Sequence, residues 1–337
     1  MRTKSLQEQP LKLISFLFSF LYIFSFSNIS FTSKVYAGPP KELKDLYYKA
    51  SGNFYKAWRA RSNKEEEERL YKLALEQVNF LLRVAPTYAK AYQLRSEIKI
   101  NSNITLTGED ISSNDRDIKG ALSDINKAIK IEEKNHEFYQ DRAEIYEELY
   151  DEAKSDLAIV SGADFWCGTD ENPKHKINCL TWCKHREPIY FDCKNLNYKN
   201  KNKSKIKSKV QKTINKYKIK ILSDYDRSIS LNKVGRNEYK EHEDTSWTYY
   251  SKASFLYYKN KDYNQALSNL NQAIKLIKYV SWGQSKNNMY RRLRAQTFLE
   301  LDNVKAACND INSVKTKEPN FDFYLNYRHK DIVKNNC

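Results

Sequence analysis

Small and apolar residues recur along this chain at fixed offsets. Ala295, Phe298, Ala307, Ile311, Val314 and Pro319 fall at offsets of 3, 12, 16, 19 and 24 residues, and Ser254, Tyr257, Ala266, Leu270 and Ala273 repeat the first four. Steps of three and four place such residues on one face of a helix, with the polar residues between them turned away. The spacing predicts a helix-turn-helix unit: a small residue lets two antiparallel helices approach, larger apolar residues fill the space between them, and a proline ends the second. A unit of this kind cannot bury its apolar face alone, so the copies must stack.

The same pattern predicts more copies upstream. Residues 41 to 60 read as a helix, and Glu66 to Val84 as its partner, with Ala74, Val78, Leu81 and Pro86 at the offsets of Ala307, Ile311, Val314 and Pro319. A helix beginning near Tyr88 carries Tyr92 and Ser96, and its partner carries Ala121, Ile125 and Ala128 after a polar loop from Asn101 to Asp115. That loop is rich in turn residues (Thr-Gly-Glu-Asp, Ser-Ser-Asn-Asp) and reads as an insertion. Tyr139, Ala143 and Tyr146 open a third pair, whose second helix is expected as a short segment from Asp151 to Val160. Helical spacing returns at Ile206, Val210, Ile214, Tyr217 and Ile221, and Ile221, Tyr225 and Ser228 fit a second helix. A polar linker, Asn232 to Asn237, leads to the two clean copies.

These residues resemble the tetratricopeptide-repeat family. Tyr250, Ser254, Tyr257, Ala266, Leu270 and Ala273, then Ala295, Phe298, Ala307, Ile311, Val314 and Pro319, carry the likeness most clearly. Asp124-Ile125-Asn126-Lys127-Ala128-Ile129 and Asp224-Tyr225-Asp226-Arg227-Ser228-Ile229 look like the family's second helix, while Lys99 stands where an aromatic is expected. The resemblance implies an all-α fold, an array of antiparallel helix pairs forming a right-handed superhelical solenoid, whose concave face binds a peptide or partner protein. The expected organisation is a leader over residues 1–37, helical repeats over 41–160, a cysteine-rich insert and lysine-rich linker over 161–203, repeats over 204–319, and a capping segment over 320–337.

Composition agrees with helices: 8 glycines and 7 prolines in 337 residues are few for a β-rich protein, and 25 tyrosines with 15 phenylalanines can fill helix seams. The N-terminus follows a different logic. Arg2, Lys4 and Lys12 precede an apolar run from Leu13 to Phe26, and a polar stretch ends in Val35-Tyr36-Ala37. These are the parts of a secretory signal peptide, with cleavage expected after Ala37. The run has about 14 residues where a bilayer span needs about 20, which favours cleavage over the alternative, a membrane anchor formed by the uncleaved N-terminal segment. The expected location is therefore beyond a membrane: periplasmic, luminal or secreted. Removing the leader leaves 54 basic and 41 acidic residues, a net charge of +13. Outside the cytoplasm this points to an acidic protein or peptide partner or an anionic membrane surface rather than to nucleic acid. It leaves the oligomeric state open.

Four of the six cysteines, Cys167, Cys179, Cys183 and Cys193, fall in the insert with His175 and His185. In an exported chain they are expected to form two disulfides, in one of three pairings, each closed loop contributing about 3 kcal/mol. The alternative is a metal- or redox-active module. Cys179 and Cys183 have a spacing compatible with zinc ligation, but paired C-x-x-C knuckles are missing. Cys308, next to the packed Ala307, and the final Cys337 are expected to bond to each other and fasten the capping segment.

From Lys194 to Lys220 there are eleven lysines and no acidic residue, among them Lys201, Lys203, Lys205, Lys207, Lys209 and Lys212. They are a candidate electrostatic contact, although a helix with one apolar stripe must in any case show its other faces to water. No glycine-rich phosphate loop, H-E-x-x-H or nucleophile elbow occurs, and His136, His242 and His329 sit in no catalytic pattern. The expectation is a non-enzymatic interaction scaffold without a cofactor.

Overall fold

The computed structural model describes residues 40–102, 116–161, 203–232, 238–280, 282–315 and 327–337. Among the described residues eleven α-helices follow one another: α1 (Lys41–Arg59), α2 (Lys64–Val84), α3 (Ala89–Asn101), α4 (Ile118–Ile131), α5 (His136–Ser161), α6 (Lys203–Leu231), α7 (Glu238–Ser254), α8 (Tyr263–Ile277), α9 (Gln284–Glu300), α10 (Val304–Lys315) and α11 (Tyr327–Asn336). Among the described residues there is no strand. Consecutive helices pack as pairs, α1 with α2, α3 with α4, α5 with α6, α7 with α8 and α9 with α10, and α11 packs on α10. The fold is an all-α array of antiparallel helix pairs, and Lys41–Cys337 form one compact unit. Among the described residues no helix is long and apolar enough to cross a membrane.

The offsets of the sequence are the packing positions. Ala74, Ala121, Ala266 and Ala307 are fully buried on the second helices of four pairs, with Val78, Ile125, Leu270 and Ile311 buried one turn on, and Ile221 and Tyr225 take these positions on α6. Four of the five second helices also share a start: Asn63, Asp117, Asp262 and Asn303 each accept a hydrogen bond from the backbone N–H three residues ahead. Such caps satisfy one of the orphan donors at a helix N-terminus and are worth about 1 kcal/mol each. Asp117 folds so closely over Gly120 that a Cβ there would lie 2.0 Å from its carboxylate. The turns before α8 and α10 use Lys261 and Asp302 in the left-handed region.

Two elements depart from the expected pattern. The second helix of the third pair does not begin at Asp151. α5 runs unbroken through it, because Leu149, Tyr150, Ala153 and Leu157 continue the apolar stripe and no proline or glycine intervenes. Its partner is α6, so the sequence between Ser161 and Lys203 falls inside a pair and not between pairs. The second departure is in α7, which ends in a π-helical segment, Phe255–Asn260, with Phe255, Leu256 and Tyr257 buried.

At the C-terminus Cys308 and Cys337 form a disulfide across 29 residues of chain, with 5.1 Å between their Cα atoms. It ties α11, through Val333 and Ile332, onto the apolar face made by Ala307, Ile311 and Val314.

Candidate functional site

The first helices of successive pairs lie side by side, joined by polar contacts. Gln93 of α3 donates to Asp141 of α5 at 2.6 Å, Thr248 of α7 donates to Gln140 of α5 at 2.8 Å, and Ser246 of α7 meets Tyr290 of α9 at 3.2 Å. These contacts advance in parallel: His136 and Glu137 lie near Asp244, and one turn later Gln140 meets Thr248. The first helices therefore line one common face, and side chains far apart in sequence meet on it.

Carboxylates dominate the middle of that face. Glu137, Asp141, Glu144 and Glu147 descend α5 at steps of four, three and three, and Glu97 of α3 faces Glu137 and Glu144. Glu147 is partnered, accepting from the buried Tyr225 hydroxyl at 2.7 Å and pairing with Lys259 at 3.0 Å. Glu97 is almost surrounded by protein and faces like charges. Loss of hydration, reinforced by Glu144 and Glu137, pushes its pKa up to about 7. Glu144 is also raised to about 7, by loss of hydration and the charge of Glu147, against a weak hydrogen bond from Gln140. Asp141 is raised well above the usual carboxylate range, first by burial and then by Glu97 and Glu144. Water nonetheless reaches Glu144, whose side chain is exposed.

Aromatic rings border the carboxylates on the α1 side. Tyr47 and Tyr55 both sense the charges of Glu97 and Glu137, which together with lost hydration hold their hydroxyls protonated. Tyr55 is 57% exposed and Tyr48 is 67% exposed, so this rim is open to solvent. At the α7 side His136, Glu137 and Asp244 place one donor atom each within 4.8 Å of the others. His136 Nδ1 is closed off from water and has no hydrogen-bond partner, and burial lowers the imidazole's proton affinity, with Lys240 opposing the nearby acids. One imidazole and two carboxylates are a donor set that a divalent ion accepts.

Behind this face the array is locked by a repeated polar clamp. Arg95 grips Asp124 with both ends of its guanidinium, at 2.8 and 2.6 Å, and reaches back to Asn79 at 3.0 Å. Arg142 does the same with Asp224, at 2.8 and 2.7 Å, and Asn126 at 2.8 Å. Arg294 repeats it with Asp310, at 2.6 and 2.7 Å, and Asn271 at 2.8 Å. Each clamp joins a first helix to its own second helix and to the second helix of the preceding pair. The aspartates are 2–5% exposed, and paired forks of this kind are the strong charge-assisted case. Asn53 and Gln77 stand in as a neutral pair at 2.9 Å in the first repeat. In the fourth, Lys252 of α7 pairs only backwards, with Asp226. Lys99, where an aromatic was expected, reaches Asp124 at 2.8 Å and Asp117 at 3.5 Å.

Of the site residues expected from sequence, Cys308 and Cys337 are brought together. Cys167, Cys179, Cys183 and Cys193, the histidines between them, Lys201, the side chain of Lys203 and the N-terminal leader lie outside the described residues. Lys205, Lys207, Lys209 and Lys212 are exposed on α6, a second helix, away from the carboxylates of the first. Sequence reasoning missed those carboxylates, although the step of four, three and three along α5 was there to find.

No family model matches the chain, and no curated protein matches it. Among solved structures, that of the yeast Tom70 is similar at 17% identity and a TM-score of 0.20, the match covering 87% of this chain and 68% of that one.

Proposed function

We propose that this protein is a non-enzymatic interaction scaffold that binds a segment of a partner protein along the face lined by α1, α3, α5 and α7. The observation that carries this reading is the set Glu97, Asp141 and Glu144: three carboxylates from two helices that lie close enough to repel one another, with no cation paired to them among the described residues. A fold does not hold mutually repelling, poorly hydrated charges for its own stability, and such groups mark functional surfaces. Apolar residues are consumed by packing, so the polar inner side chains are what remains to recognise a partner. A location beyond a membrane is part of the proposal. It is supported by the basic and apolar N-terminal pattern ending at Ala37 and by the Cys308–Cys337 bond, which suits an oxidising compartment.

Photo-crosslinking tests the reading. A crosslinking side chain placed at Tyr55 or Glu144 should capture partner protein from the exported fraction, and one placed at Lys212 should not. Capture through Lys212 alone would exclude the inner face as the binding surface.

A further inference from the structure

The chemistry of the inner face specifies the sign of its occupant. Resting on the scaffold reading, we propose that the segment held there is cationic, a lysine- or arginine-bearing stretch of a partner protein whose side chains enter between α3 and α5. The whole chain is basic, with 58 lysines and arginines against 42 acids, and that average points to an acidic partner. Charge is not evenly spread, however. α5 alone carries eight carboxylates, while α6 behind it carries eight lysines. The averaged sign therefore does not describe the α5 part of the inner face, which is acidic.

Three observations converge on a cation. Glu97 is partly buried, no side chain among the described residues donates a hydrogen bond to it, and Glu137 and Glu144 lie near enough to repel its charge. Asp141 lies between them with one partner, Gln93, leaving further acceptor positions. Tyr55 stands exposed near Glu97, Asp141 and Glu137, where an aromatic ring can take a cation. Lys259 shows what the face accepts: where it enters from the π-helical segment it pairs with Glu147 at 3.0 Å and Asp151 at 2.8 Å. The neighbouring triad Glu97, Asp141 and Glu144 has the same chemistry, and among the described residues no lysine or arginine is paired with it.

The test uses the mature full-length protein and three fluorescent peptides of equal length, repeating lysine-serine, glutamate-serine or glutamine-serine. The lysine peptide should bind, and the other two should bind at least tenfold more weakly. Glu97→Gln, Asp141→Asn and Glu144→Gln combined should weaken the lysine peptide roughly tenfold or more, while Lys205→Gln, Lys207→Gln, Lys209→Gln and Lys212→Gln combined leave it unchanged or slightly improve it. Binding of the lysine peptide should release protons near neutral pH, because a cation restores the ionised carboxylates. A triple variant that keeps its melting temperature but loses the lysine peptide separates recognition from folding. Equal binding of all three peptides, or lysine-peptide affinity indifferent to the triple variant, overturns the inference. If crosslinks at Tyr55 and Glu144 then persist, the scaffold reading stands without it; if those are also lost, both fall.

Discussion

α5 and α6 are partners in one helix pair and opposites in charge. Both are long, of 26 and 29 residues, and their apolar stripes meet through Tyr146, Ala153, Val210, Ile214 and Ile221. On its other side α5 presents Glu137, Asp141, Glu144 and Glu147 to the inner face, whereas α6 presents lysines to the outside. The comparison teaches that in a layered array net charge is an average over two surfaces that never meet the same partner. What joins the two helices is itself polar. Arg142 crosses from α5 to Asp224, and Tyr225 crosses from α6 to Glu147.

The largest expected effect comes from cutting that joint. Arg142→Met leaves Asp224, only 5% exposed, as an unpaired buried charge and should cost about 3–5 kcal/mol in a denaturant titration. Pairing it with Asp224→Asn should recover much of the loss; if the double variant is no better than the single one, the clamp is not the source. Next comes Tyr225→Phe, which removes the hydroxyl that supports Glu147 and should cost about 1–2 kcal/mol.

Smaller and opposite in sign is the effect of the inner carboxylates on stability. Glu97 and Glu144 bind protons more tightly in the folded chain than unfolded, since burial raises both to about 7. Their contribution is present below the ordinary carboxylate range and is lost as pH rises toward 7. The groups facing them are Glu137 and Glu147 of α5 and Tyr47 and Tyr55 of α1, none of which supplies positive charge. Melting temperature should therefore fall as pH rises from about 5 to 8, and Glu97→Gln with Glu144→Gln should flatten the slope. An unchanged slope would mean that these carboxylates are hydrated in the ordinary way. The smallest effect belongs to the outer face. Replacing Lys205, Lys207, Lys209 and Lys212 with glutamine should change stability by less than about 0.5 kcal/mol and show only as weaker retention on an anionic matrix.

Much of the array was legible because packing writes itself in periodic small and apolar residues. Ala266, Leu270, Ala295, Ala307 and Ile311 were assigned to helix seams from spacing alone, and all are buried. The clamps were half-visible. Asp124-Ile125-Asn126 and Asp224-Tyr225-Asp226 were recognised for their central apolar residue, but the flanking polar ones are what grip Arg95, Arg142 and Lys252. A polar residue in an amphipathic helix looks like surface until a neighbouring helix supplies its partner. The continuity of α5 through Asp151 was missed for a related reason: an expected pair length was imposed where no breaker stood. The acidic face was missed because spacing places residues on a stripe and cannot say which stripe turns inward.

The clamp ladder also has a missing rung. Between the third and fourth pairs the reach-back is a single lysine, Lys252 to Asp226, in place of an arginine that holds two helices at once. An array pulled from its ends yields at its weakest joint, so this one should part between α6 and α8 before any other seam. The residues that compensate there, Lys259 on Glu147 and Asp151, belong to the π-helical segment and to the acidic face itself. The strength of that joint therefore depends on carboxylates of the acidic face, which the fourth repeat grips through its own Lys259.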